Sequence, residues 1–129
     1  MPVKKLSAAR CKSLRVICKR FRNMMKERSR LNHLPFESEV LTVRFLMAHI
    51  ETNPKCQRCG VPFAIGGVKN GVQAAASPSI DRIIPSLGYT LKNVAILCWR
   101  CNNLKRDADP AELKKVADLM DASLGCIMG

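Results

Sequence analysis

Acidic residues are scarce in this chain. Its 129 residues carry ten Asp and Glu against twenty-two Lys and Arg, a formal net charge of +12. So one-sided a balance points to a polyanionic partner, with nucleic acid ahead of an anionic membrane surface. Long apolar runs are missing as well. No stretch of about 18 apolar residues occurs, which excludes a membrane-spanning helix of ordinary length. The N-terminus has no signal-peptide apolar core, because Lys and Arg interrupt it throughout. The expected location is therefore intracellular, in the cytoplasm. Histidine is nearly absent: His33 and His49 are the only two.

Cysteine is the exception to this sparseness, with seven in the chain. An odd count, no secretion signal and two Cys-x-x-Cys pairs argue against a disulfide framework. Cys56 and Cys59 form the first pair, Cys98 and Cys101 the second. Four thiolates from two such turns make an ordinary tetrahedral Zn2+ shell. A redox role for one pair is the competing reading, but it expects a βαβ setting. The zinc is expected to be structural, since four thiolates leave no open position for catalysis. A chain this short also gains from a metal staple, because its core is small. Cys11 and Cys18 lie two helical turns apart, about 10 Å, too far to share an ion. They and Cys126 are read as small apolar residues.

Three regions differ in texture. Residues 1–54 form a basic helical region. Eleven cations against the single acid Glu27 fall within residues 1–32. Leu14, Ile17, Cys18, Phe21, Met24 and Met25 recur there at helical spacing, which predicts an amphipathic helix over roughly 7–31 with Ser7 as its N-cap. Arg15, Lys19 and Arg22 are candidate phosphate contacts on it. A second helix is expected over 36–53, ended by Asn53-Pro54. Residues 55–108 hold both cysteine pairs, a Gly- and Ala-rich loop over 66–76, short strands over 79–84 and 93–97, and a short helix from Cys98 to about Arg106. Residues 109–129 predict a final helix with Asp109 as N-cap, Pro110 at N1 and Glu112 at N3. Its stripe of Leu113, Val116, Ala117, Met120 and Leu124 is expected to pack on the core.

The order Ser79-Ile-Asp81-Arg82-Ile-Ile-Pro85, Gly88-Tyr89, Asn93-Val94, Cys98-Trp-Arg-Cys101-Asn102-Asn103-Leu-Lys105 resembles the zinc-stapled branch of the HNH, or ββα-metal, endonucleases. It is also similar to phage recombination endonucleases that resolve branched DNA. The resemblance spans about residues 55–108, and the approach from Leu34-Pro-Phe-Glu resembles phage-type HNH proteins too. It implies an α+β fold: a small zinc-stapled ββα-metal core flanked by N-terminal helices and a C-terminal helix. It further implies phosphodiester hydrolysis of DNA with Mg2+ or Mn2+, leaving 5′-phosphate and 3′-hydroxyl ends. Asp81 and Asn102 would offer the metal hard oxygen ligands. Asn93 would brace the loop between the strands. Arg100, Lys105 and Arg106 would contact phosphates.

One position departs from that family. A histidine that activates the attacking water usually follows the Asp; here the residue is Arg82. Arginine stays protonated and is no ordinary base, although it can hold a phosphate or stabilise transition-state charge. A base would have to come from His33, His49, Asp107 or a metal-activated water. Two further readings follow. One is a catalytically inactive, zinc-dependent DNA-binding or regulatory protein on the same scaffold. The other is a protein-interaction module. Plainer roles exist for single residues too: Asp81 as a salt-bridge partner, Asn102 and Asn103 as helix caps, Trp99 as a core plug beside the zinc. The partner is expected to be duplex or branched DNA, with RNA compatible, and the protein a monomer or homodimer.

Overall fold

The computed structural model describes residues 8–66, 74–106 and 108–128. Within them the chain is α+β, with four α-helices and one two-stranded sheet. Helix α1 spans Ala8–Asn32, α2 Val43–Thr52, α3 Trp99–Lys105 and α4 Pro110–Met128; strand β1 is Pro78–Arg82 and β2 is Val94–Cys98. No helix among the described residues is long and apolar enough to cross a membrane. Ser7, Lys4, Lys5, Asp107 and most of the Gly- and Ala-rich loop lie outside the described residues.

The apolar stripe of α1 forms as its spacing predicts. Leu14, Cys18, Phe21 and Met25 are buried on one face. They join Leu46 and Ile50 of α2 and Ile80 and Ile96 of the sheet in one hydrophobic cluster. Burial pushes the Cys18 thiol up to about 12, so it packs as a small neutral group. Ile17 and Met24, beside the stripe, are only partly buried.

Helix α2 starts later than its apolar pattern suggests. Residues 36–41 are a loop instead, and the Thr42 hydroxyl caps the helix by accepting from the Phe45 amide at 3.1 Å. The loop is held by the second half of the chain. Tyr89 N–H donates to the Pro35 carbonyl at 2.9 Å, and Glu37 N–H donates to the Tyr89 carbonyl at 2.9 Å. The Glu37 carboxylate accepts from the Leu91 amide at 2.7 Å. These long-range bonds outweigh the local helical pattern of 36–41.

The strands are antiparallel and pair Asp81 with Ala95 and Pro78 with Cys98. Both are offset from the expected 79–84 and 93–97. Asn93 explains where the ladder stops. Its side chain is buried, accepts from the Ile84 amide at 3.0 Å, and donates to the carbonyls of Ile84 and Gly88 at 2.9 and 2.7 Å. It thereby takes over the backbone groups a longer strand would pair, and folds 84–88 into a closed loop with a 3-10 turn at Pro85–Leu87.

The last helix begins as its start signals indicate. Glu112 N–H donates to the Asp109 carboxylate at 2.8 Å, and the Asp109 amide reaches back to Glu112 at 3.5 Å. Its expected packing is not found. The stripe of Leu113, Val116, Ala117, Met120 and Leu124 is exposed, and none of the side chains described on α4 is buried. Cys126 is exposed as well. The capping motif fixes where α4 starts but supplies no direction back to the core.

Gly88 marks a close approach between the two halves. Its φ is +74°, and a Cβ there would sit 2.5 Å from the Pro35 carbonyl oxygen. Gly88→Ala is therefore expected to destabilise the fold by on the order of 2 kcal/mol or more, from backbone strain and the clash together. A thermal melt of the full chain should show Tm lowered by about 5–10 °C. Ser86→Ala, in the exposed part of the same loop, should leave it unchanged.

Candidate metal centre and cationic cleft

Cys56 and Cys59 sit on a tight turn that closes on itself. Gly60 N–H donates to the Cys56 carbonyl at 3.0 Å, and Cys56 N–H donates to the Val61 carbonyl at 2.9 Å. Gly60 takes the φ of +76° that this turn requires. The turn is tied to the sheet through Gln57, whose side-chain oxygen accepts from the Ile96 amide at 2.7 Å. The second pair straddles the junction of β2 and α3. Cys98 is the N-cap of α3, and its sulfur accepts from the Cys101 amide at 3.4 Å.

The four sulfurs therefore converge. All lie within 4.8 Å of one another, and Cys59 Sγ is 3.8 Å from Cys98 Sγ. Zn–S bonds of about 2.3 Å in a tetrahedron set sulfurs about 3.8 Å apart, so the cluster fits a zinc ion and could hold one. Three of the four cysteines are buried; Cys59 faces solvent. Burial opposes ionisation of the Cys56 thiol, but the amides of Cys59, Cys98 and Arg58 overcome it and bring it down to about 6. Burial pushes the Cys98 thiol up to about 12, and the neighbouring sulfurs add to that. The Arg58 guanidinium donates to Cys101 Sγ at 3.6 Å, offering positive charge to the thiolate set.

Residue 102 follows the last cysteine directly, so the cluster also fixes Asn102. Its amide donates to the Ser79 hydroxyl and to the Ile80 carbonyl, the latter at 3.3 Å. This pins α3 across β1. One turn on, Lys105 reaches the same strand. Its ammonium lies 3.2 Å from the Asp81 carboxylate and donates to the Arg82 carbonyl at 2.9 Å. Asp81 is buried and Lys105 mostly so. The Arg82 guanidinium donates to the Pro85 carbonyl at 3.1 Å and lies 5.4 Å from the centre of the Tyr89 ring.

These residues open onto a cleft of about 910 Å3 between α1 and the β1–α3 face. Lys12, Arg20 and Arg28 of α1, with Arg82 and Arg106, give its lining five cations; Asp81 is the one acid on it among the described residues. Asn102 and Trp99 also line it. So does Ser77, a buried serine whose hydroxyl has no hydrogen-bond partner among the described residues.

The expected phosphate contacts divide. Arg106 lies on the cleft, but Lys105 is engaged by Asp81. Arg15 and Lys19 are exposed on α1 away from the cleft lining, as is Arg100 at the start of α3. Arg22 is a structural residue: it donates to the carbonyls of Ser38 and Leu41, both at 2.8 Å, and lies over the Phe36 ring. Sequence reading counted Lys12, Arg20 and Arg28 among the cations of the basic helix but did not single them out as site residues. No signal in their spacing sets them apart, because cations are spread along and around the whole of α1.

Comparison with known proteins adds no relative. No family model matches the chain, and no curated protein or solved structure matches it at a significant level.

The metal centre leads to a direct expectation. The purified protein should carry one zinc per chain by elemental analysis. Cys59→Ser alters the exposed member of the set, so its effect reports metal loss rather than core damage. It should abolish stoichiometric zinc and cost several kcal/mol of stability, while Cys126→Ser should do neither. Zinc should also be lost as the pH is lowered, because protons compete for all four sulfurs.

Proposed function

We propose that this chain is a divalent-metal-dependent DNA endonuclease of the HNH type, binding its substrate in the cleft between α1 and the β1–α3 face. One observation carries the reading. Asp81, the one acid described on a strongly cationic cleft, lies on the strand that Asn102 pins, and Asn102 is positioned by its neighbour Cys101. A polyanion attracted by five cations would be delivered to the two side chains that the family resemblance assigns to metal binding.

The residues fit a hard cation in part. A carboxylate and an amide oxygen suit Mg2+ or Mn2+, which commonly takes only one or two protein carboxylates and completes its shell with water and phosphate. Asp81 and Asn102 would hold the ion, whose chemistry there is to stabilise charge on the departing 3′ oxygen. The chain's own groups do the rest. Lys12, Arg20 and Arg28 hold the phosphate backbone along α1, and Arg106 holds it on the opposite wall. Lys105, paired with Asp81 at 3.2 Å, would contact phosphate where Asp81 holds the ion. Arg82 is not a base. Neither His33 nor His49 lines the cleft, so neither is placed to take the water's proton.

A second reading is favoured by a specific contact. In the ion pair at 3.2 Å, Lys105 already neutralises Asp81. Arg82 occupies the position of the usual base and is engaged by Pro85 and Tyr89. Both features suit a protein that binds nucleic acid in the cleft and does not cut it.

The deciding experiment incubates zinc-loaded protein with supercoiled plasmid and a four-way junction in Mg2+, Mn2+ or EDTA. Cutting that needs the metal and falls at least 100-fold in Asp81→Ala/Asn102→Ala would support the nuclease. Salt-sensitive binding without cutting would select the second reading.

The cleft makes its own prediction under either outcome. Reversing Lys12, Arg20 and Arg28 to Glu should weaken DNA binding by orders of magnitude. It should also flatten the dependence of log K on log salt by about 0.9 for each phosphate the protein no longer neutralises. Reversing Arg15 and Lys19 should have a much smaller effect. Fluorescence anisotropy across a salt series measures both.

A further inference from the structure

An apolar stripe lies uncovered on α4. Leu113 is 38% exposed, Val116 57%, Met120 65% and Leu124 56%. At 100° per residue these four, with Ala117 and Ile127, fall within a band about 100° wide, the width of a core-facing helix surface. A helix of 19 residues is marginal in water without burial of such a face, and a contiguous apolar band of this kind marks an interaction surface.

The charges beside the stripe indicate what covers it. Lys114 and Asp121 stand on the same flank, two helical turns apart, with opposite sign. In an antiparallel pair of identical helices each flank meets its own counterpart running the other way, so residue i meets j and j meets i. A pair centred near residue 118 brings Leu113 to Leu124 of the second copy, Val116 and Ala117 to its Met120, and Lys114 to its Asp121. In this register the charges pair and Leu113, Val116, Ala117, Met120 and Leu124 meet apolar partners, while Ile127 lies beyond the paired segment. Lys114 also pairs with Asp118 of its own helix at 2.9 Å, on the exposed surface, a weak contact that it can exchange for Asp121 of the second copy.

We propose that α4 is a dimerisation element, pairing antiparallel with α4 of a second copy of this chain. The inference rests on α4 alone and is independent of what the cleft does.

Sedimentation of the full-length, zinc-loaded chain tests it. At tens of micromolar, the mass should be about twice 14.3 kDa. Val116→Glu/Met120→Glu should weaken the dimer by roughly 100-fold or more, since both copies lose two buried side chains. Zinc content should stay unchanged, because both residues are exposed in the single chain and lie far from the four cysteines in sequence. Lys114→Asp and Asp121→Lys should each weaken the dimer by about 2–5-fold, and the two combined should restore it. A monomer at every concentration would overturn the proposal and assign the stripe to another partner. A dimer indifferent to Val116→Glu/Met120→Glu would also overturn it, as would a charge swap that fails to restore pairing.

Discussion

Four sulfur atoms lie within 4.8 Å of one another where the Cys56–Cys59 turn, β2 and α3 meet. Two come from a turn that hangs on β2 through Gln57, and two from the junction where β2 becomes α3. The sheet has only two strands of five residues and α3 only seven residues, and elements this short do not hold their relative angle by packing alone. A metal ion shared by the turn and the junction would fix that angle. Asn102 and Lys105 follow within one helical turn, so their meeting with β1 depends on the same cluster.

A second constraint joins this unit to the helical region before it. Asn93 closes the 84–88 loop from inside, and the loop presents Gly88 and Tyr89 to the backbone at Pro35 and Glu37. Gly88 allows an approach that any side chain would block. The contact places α1 across from the β1–α3 face, and the cleft lies between them. A buried asparagine and a glycine, neither with chemistry of its own, thus help to shape the cationic site.

Much of this was legible in the residues. The spacing of the two Cys-x-x-Cys pairs foretold a cluster that could hold zinc, the Asp109-Pro110 start foretold the beginning of α4, and the stripe from Leu14 to Met25 foretold the buried face of α1. What was not legible depended on contacts distant in sequence. The helical pattern of 36–41 is genuine, but bonds to Tyr89 and Leu91 override it, and a local period carries no trace of them. Arg22 looked like one more cation on a basic helix until two carbonyls of the following loop claimed it. Conversely, the side of α1 that faces the cleft is chosen by how the helix docks, which the even spread of its cations does not reveal. The exposed stripe of α4 is the same lesson in reverse. Amphipathicity states that a face is covered, not by what.

The electrostatics of the cleft follow from one competition. A carboxylate as buried as Asp81 cannot remain charged without a compensating cation, and Lys105 provides one across the strand–helix contact. That pairing supports the same α3–β1 contact that Asn102 makes. A divalent ion at Asp81 would therefore compete with this lysine. On the nuclease reading a polyanion would lower that barrier, because its phosphates would offer the lysine an alternative partner. Binding of nucleic acid and capture of a metal would then favour one another, and the cationic wall of α1 would act on the carboxylate through the phosphates it gathers rather than through any direct contact.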